Sequence, residues 1–264
     1  MTAPAVSALM GVWNGAPRVR EAVESVLRQT MDDLELIVID DGSADETPAI
    51  LGSFRDPRLR VERRARAGLT RALGAALELA RAPLVARLDA DDVALPERFE
   101  RQRAFLDAHP DIGLLGTGAR EVDAEGRELA VVRPPTDDAA IRCALIRRNP
   151  FVHSSVMMRR AIVERVGGYD PAFPVAQDYD LWMRMSRVTR MANLPQPLVV
   201  RRLLPGRIGS TRETERFRAE ARVRWRAVHA GTYPAWCALF ALRPLVAQSL
   251  PESARRLLRR FGGR

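Results

Sequence analysis

The sequence predicts an α/β protein built on a mostly parallel sheet with helices on both faces. From Val6 to Asp92, continuous apolar runs alternate with stretches of helical periodicity, the pattern of strands buried on both sides. The runs end in short polar loops. Asn14, Asp40, Asp41 and the cluster Asp89, Asp91 and Asp92 all fall at the carboxyl ends of these strands, where such sheets bind ligands.

Val6 to Met10 is the first strand, running into Gly11-Val12-Trp13-Asn14-Gly15. Pro17 opens a helix at a favourable first-turn position. Val19, Ala22, Val23, Val26 and Leu27 then recur at helical spacing and form one apolar face. Leu34 to Ile39 is a second, largely apolar strand ending in Asp40-Asp41-Gly42-Ser43. Ser43 and Glu46 have the spacing of a capping box for a following helix. Leu59 to Val61 suggests a third strand, and Leu69, Ala72, Leu73, Ala76, Leu77 and Ala80 mark another helix face. Ala82 to Ala86 is a short apolar run containing a proline, read as a buried strand. It delivers Arg87-Leu88-Asp89-Ala90-Asp91-Asp92, ahead of a helix opening at Pro96.

Three carboxylates in four positions repel one another and resist desolvation. A hard divalent cation removes that cost, and carboxylate clusters are what Mg²⁺ and Mn²⁺ select. Extended geometry would put Asp89 and Asp91 on one side, with Asp92 able to turn back toward the same point. The alternative is a solvated acidic turn before a helix.

Composition removes several classes. All 42 basic residues are arginine, so a P-loop NTPase and a pyridoxal Schiff base, which need a lysine amine, are excluded. No apolar run is long enough to span a bilayer, and no basic region precedes the first apolar stretch. Cys143 and Cys237 form no metal or redox spacing, which fits a cytoplasmic setting. The net charge of +9 suits phosphates or an anionic membrane, or reflects arginine-rich coding. With no zinc spacing and no aromatic-basic module, nucleic acid is not an expected partner.

Taken in order and spacing, Met10 to Gly15, Glu35 to Ser43 and Leu88 to Asp92 resemble the family 2 glycosyltransferases of GT-A fold. Phe151 to Met157, Val166 to Asp170 and Asp178 to Trp182 extend the likeness, which covers residues 5–210. The resemblance implies an inverting transfer of a sugar from a nucleoside-diphosphate donor to a hydroxyl acceptor, a carbohydrate or lipid-linked one in cell-envelope polysaccharide or glycolipid synthesis. It implies donor contacts at Gly11, Trp13, Asn14, Asp41, Arg71 and Asp89. Asp41 would accept from the N3–H of uracil or thymine, favouring UDP or dTDP. It implies Mn²⁺ or Mg²⁺ at Asp91 and Asp92, and makes Asp178 the general base. Locally, Asp178 also reads as a plain helix N-cap, and Asp180 as structural. His153 and Trp182 are acceptor-pocket candidates that read equally as wall and core residues.

The chain departs from the family pattern at several points. Gly11 stands for a usual proline, Gly74 for a frequent asparagine, Gln177 for an acid beside the base, and Leu204 for a histidine near the diphosphate. Arg201, Arg202 and Arg207 surround that last position as substitute diphosphate contacts. These departures keep open a nucleotide-sugar-binding homologue without transferase activity. The Gln-x-x-Arg-Trp signature of processive relatives is absent, so repeated addition of one sugar is not expected. Residues 1–210 are read as the catalytic domain and 211–264 as a helical, basic C-terminal extension. In that extension Phe217, Ala221, Arg224, Trp225 and Val228 line one side of a helix, and a basic amphipathic stretch follows near residue 255. The extension would either lie on an anionic membrane surface or pack on protein.

Overall fold

The computed structural model describes residues 3–204 and 212–242. The chain separates into two compact units, Met1–Pro205 and Gly206–Arg264.

In the first unit, β1 (Val6–Val12), β2 (Leu34–Asp41), β3 (Leu59–Arg64) and β4 (Leu84–Arg87) run parallel in the order β3-β2-β1-β4. Every residue of β1, β2 and β4 is buried, as their unbroken apolar character requires. Glu35, the acid nearest the start of β2, is compensated. Its carboxylate accepts from Ser7 Oγ at 2.6 Å, Arg81 N at 2.9 Å and Arg81 Nε at 2.9 Å. Burial alone would raise its pKa, but these bonds and the arginine charge bring it below the usual value.

The helices between these strands are α1 (Val19–Leu27), α2 (Thr47–Gly52) and α3 (Leu69–Leu79). The helix α1 buries Val19, Ala22, Val23 and Val26, the periodic face read from sequence. Ser43 does not cap α2. Its hydroxyl accepts from Asn14 N at 2.9 Å, and Asp45 accepts from Thr47 N at the start of the helix instead.

Beyond Arg87 the sheet becomes mixed. The elements that follow are β5 (Val93–Ala94), α4 (Arg98–Ala108), β6 (Ile112–Val122), β7 (Glu128–Val132), α5 (Asp138–Leu145), β8 (Met157–Arg159), α6 (Arg160–Arg165), α7 (Gln177–Met185) and β9 (Arg190–Arg202). The strand β8 lies antiparallel between β4 and β6; β9 runs parallel to β6, and β5 and β7 pair antiparallel with β9 and β6. The antiparallel pairs all lie beyond β4, while β6 and β9 stay parallel, so the sheet is mixed, as expected. Arg98, fully buried on α4, ties this junction together by donating to the carbonyls of Arg87 and Val156.

The second unit contains α8 (Glu213–His229) and a short 3-10 turn, Ala235–Cys237. Trp225, expected on the helix's packing side, is 60% exposed. The basic stretch near residue 255 and Arg207 lie outside the described residues.

Candidate active site

Three loops at the carboxyl ends of β1, β2 and β3 brace one another through backbone N–H groups. Asn14 takes a left-handed conformation, φ 50°, and its Oδ1 accepts from Ala44 N at 2.9 Å. Ala16 N donates to Asp45, and Gly15 N to Thr47 Oγ1. Asp41 accepts from Ala67 N at 2.7 Å and Gly68 N at 2.8 Å, one oxygen each. The carboxylate expected to read a base thus also fixes the loop that opens α3; each oxygen keeps a second lone pair. Asn14, expected at the donor, is engaged as a loop brace. Gly11 is buried, and a Cβ there would stand 3.0 Å from Leu69 and 3.2 Å from Ala72. Its place in the fold is the close approach of α3 to β1 rather than a donor contact.

Trp13 is 46% exposed on this frame, with the Arg66 guanidinium 3.2 Å above its ring. Asp41, Arg71, Gly74, Glu78 and Tyr169 line a neighbouring cleft of about 320 Å³.

The acidic cluster is a turn, not an extended segment. Asp92 N donates to Asp89 O at 3.2 Å, which brings Asp89 and Asp92, rather than Asp89 and Asp91, to one point. That point is Ser154 Oγ, bonded to Asp89 Oδ2 at 2.6 Å and to Asp92 Oδ2, and accepting from Asp89 N at 3.2 Å. A hydroxyl has one proton, so Ser154 donates to only one of the two acids. The contacts are all satisfied when Asp92 holds a proton and donates to Ser154, which donates to Asp89. The environments agree. Burial and the charges of Asp89 and Asp91 push Asp92 up. Asp89 is desolvated too, but the Arg87 guanidinium and the Ser154 hydroxyl hold it well below the usual carboxylate range.

The other oxygen of Asp92 accepts from Arg202 N at 2.8 Å, and Asp92 is 2% exposed. It is therefore a scaffold acid, and the expectation that it binds metal beside Asp91 is corrected by its burial and its two partners. Arg202 also donates to Asp91 O at 2.9 Å and grips both oxygens of Glu21 at 2.7 and 2.8 Å. It clamps the turn from behind instead of facing a diphosphate. Arg201 is likewise taken by Glu121.

Among the described residues, no three His, Cys, Asp or Glu side chains converge as a metal cage. Asp91, half-buried on the turn, offers one carboxylate. That donor set fits Mg²⁺ or Mn²⁺ in the way they are held beside substrate phosphates, by one or two carboxylates and water, and does not fit a protein-only site.

Asp178 sits in the first turn of α7, after Ala176 in a left-handed conformation, φ 57°. Asn149 Nδ2 donates to its Oδ2 at 2.7 Å, and Tyr179 N to its Oδ1 at 2.8 Å. Asn149 escaped the sequence reading; its only local signal is the Asn-Pro step after α5. Asp180 pairs with Arg184 and is structural, as expected. His153 Nε2 lies 3.2 Å from the Tyr169 hydroxyl, and both rings feel the charges of Asp89 and Asp178. Burial and the Arg87 charge push His153 down to about 4, so it is neutral at physiological pH. Trp182 is fully buried against Phe151 and His153, which removes it as an acceptor platform.

The profile of "Glycosyl transferase family 2" matches residues 7–167, more than half of the chain. The chain belongs to glycosyl transferase family 2. Among curated relatives it is 33% identical over 199 residues to the amylovoran biosynthesis glycosyltransferase AmsE of Erwinia amylovora, across 73% of this chain and 74% of AmsE. In fold it is similar to S. aureus TarS 1-349 in complex with UDP, with a TM-score of 0.70 and 18% identity, covering 95% of this chain and 76% of that one. The mannosyltransferase PcManGT of Pyrobaculum calidifontis, solved with GDP-Man and Mn²⁺, gives a TM-score of 0.66 at 22% identity, over 98% and 79% of the two chains. These likenesses establish a glycosyltransferase of GT-A-like fold.

Proposed function

We propose that this glycosyltransferase moves a sugar from a nucleoside-diphosphate donor, UDP- or dTDP-linked, to a hydroxyl of a cell-envelope polysaccharide or glycolipid, with inversion. The observation that carries the reading is the pair of carboxylates in different settings: Asp91 on a clamped turn, and Asp178 oriented by Asn149 and acting, with Asp89, on the same His153 and Tyr169. Asp178 takes the proton of the acceptor hydroxyl while its oxygen bonds to the anomeric carbon from the face opposite the diphosphate. The bond from that carbon to the diphosphate oxygen breaks, and its electron pair leaves with the nucleotide. Asp91, together with the donor phosphates, would hold Mn²⁺ or Mg²⁺, which would supply positive charge against the leaving diphosphate. Tyr169 and neutral His153 stand within electrostatic reach of Asp89 and Asp178 and bind sugar hydroxyls.

The names of the relatives support a polysaccharide product, since AmsE is an amylovoran biosynthesis enzyme. Peripheral contact with an anionic membrane is part of the same reading. Trp225, Trp236, Leu239 and Leu242 are all more than half exposed in the arginine-rich second unit, an amphipathic composition suited to a headgroup surface. Among the described residues no helix is long and apolar enough to cross a membrane.

A thermal-shift panel of UDP-, dTDP-, GDP- and CMP-sugars, with and without Mn²⁺, tests the donor. Ligands that bind only the folded state raise the melting temperature by mass action. UDP or dTDP sugars with Mn²⁺ should give the largest shift. A flat panel removes the donor assignment, and donor turnover with wild-type protein eliminates the inactive homologue.

A further inference from the structure

We infer that Arg66 is the movable half of a clamp on the donor's base, with Trp13 as its fixed half. The inference deepens the nucleotide reading above and rests on it. Arg66 is exposed, and among the described residues it forms no ion pair or hydrogen bond. Its guanidinium instead lies flat-on at 3.2 Å from the centroid of a half-exposed indole at the mouth of β1.

The backbones beneath both side chains are fixed. The loop carrying Arg66 hangs from Asp41 through Ala67 N and Gly68 N. It also presses on Gly42, φ 72°, where a Cβ would come within 2.9 Å of Arg66 N. The loop carrying Trp13 is held through Asn14 N to Ser43 and Gly15 N to Thr47. Rigid loops with one long, unpaired side chain folded over one flat ring leave only the side chain to move.

Relative strengths decide which partner the indole keeps. An exposed cation–π contact is worth about two- to fivefold in an equilibrium constant. Stacking of a base on an aromatic ring is worth roughly five- to a hundredfold. A nucleobase therefore takes the face of Trp13 from Arg66. The planar guanidinium, on its flexible stem, then stacks on the base's outer face, where the desolvated contact is stronger than the exposed one it leaves on Trp13.

The test is calorimetric titration of the full chain with UDP and, separately, with inorganic pyrophosphate, both with Mn²⁺. Trp13→Ala should weaken UDP by roughly five- to a hundredfold, and Arg66→Ala by about two- to fivefold. Arg66→Lys keeps the charge without the plane and should resemble Arg66→Ala. Pyrophosphate has no base, so its affinity should not change in any variant. Equal UDP affinity in wild type and Arg66→Ala, tighter binding in Arg66→Ala, or full rescue by lysine would each overturn the clamp while leaving nucleotide binding in place. Failure of wild-type protein to bind UDP, GDP, dTDP or CDP would instead remove the nucleotide reading and the clamp with it. Arg66 is a surface residue, and unchanged melting temperatures of the variants guard against a folding artefact.

Discussion

The two sides of the catalytic unit hold their acids differently. On the proposed nucleotide side the partners are mainly backbone: Asp41 accepts from Ala67 N and Gly68 N, Asp40 from Ser43 N, and Asp45 from Thr47 N and Ala16 N. On the proposed reaction side each acid depends on a side chain beside any backbone donor: Asp89 on Arg87 and Ser154, Asp92 on Ser154, Asp178 on Asn149. Backbone donors survive almost any substitution, whereas a side-chain donor disappears with one. The nucleotide side should therefore tolerate change, and the reaction side should be brittle.

The largest effect tests the reaction side directly. Asp178→Asn keeps the shape of the side chain and should leave donor binding intact while transfer falls by roughly 10²–10⁴-fold, the usual scale for loss of a general base. Asp91→Ala should behave differently, losing metal-stimulated donor binding together with turnover. Near-normal transfer by Asp178→Asn would move the base elsewhere, and Asp180 would not replace it, being committed to Arg184.

Next comes Ser154→Ala. It leaves buried Asp92 and half-buried Asp89 without their shared hydroxyl, and a hydrogen bond to a charged group is worth about 1.5–3 kcal/mol. Chemical denaturation should show a loss of that size. A loss under about 0.5 kcal/mol would mean that the acids re-pair without Ser154.

A pH experiment separates His153 from its neighbours. The unfolded chain takes a proton on this histidine near pH 6.5, while the folded chain refuses it until about pH 4. Between those values the unfolded state binds more protons, so stability falls as the solution is acidified. Between pH 7 and pH 5 the loss is about 2 kcal/mol. His153→Gln should remove that part of the acid dependence, seen as a smaller shift in urea midpoint between the two pH values. An unchanged shift would place the titration on another group.

The same division between backbone and side-chain partners explains what could be read without the structure. The runs Val6 to Val12 and Leu34 to Asp41 are continuous and apolar, and the face of α1 repeats at helical spacing, so local pattern and tertiary role agree. The acid positions at strand ends followed from the same alternation. Beyond Arg87 two connecting strands are too short to show a pattern: β5 has 2 residues and β8 has 3, and their pairing with β9, β4 and β6 is wholly long-range. Ser154 and Asn149 matter through contacts 62–65 and 29 residues away along the chain, which no local periodicity encodes. A polar pair inside Phe151 to Met157 was the one visible hint. For Asp92 and Trp182, residue type suggested chemistry and burial denied it.

The smallest effect probes the tolerant side. Gly74 lies inside α3, and a Cβ there would find no atom within 4 Å. An interior helical glycine costs roughly 0.5–1 kcal/mol relative to alanine, chiefly through the freedom it loses on folding. Gly74→Ala should therefore stabilise the protein by about that amount and raise Tm by about 2–4 °C per kcal/mol for a unit of this size. The added methyl would enter the cleft of about 320 Å³ that Asp41 and Arg71 line, and is small against that space. Because Asp41 keeps its backbone partners, donor KM should stay within roughly twofold of wild type, a change of under about 0.5 kcal/mol. A higher Tm with donor affinity reduced more than about tenfold, or 1.4 kcal/mol, would mean that the base packs directly on α3 at Gly74. In that case the nucleotide side is as sensitive to a single side chain as the reaction side, and the contrast between them fails.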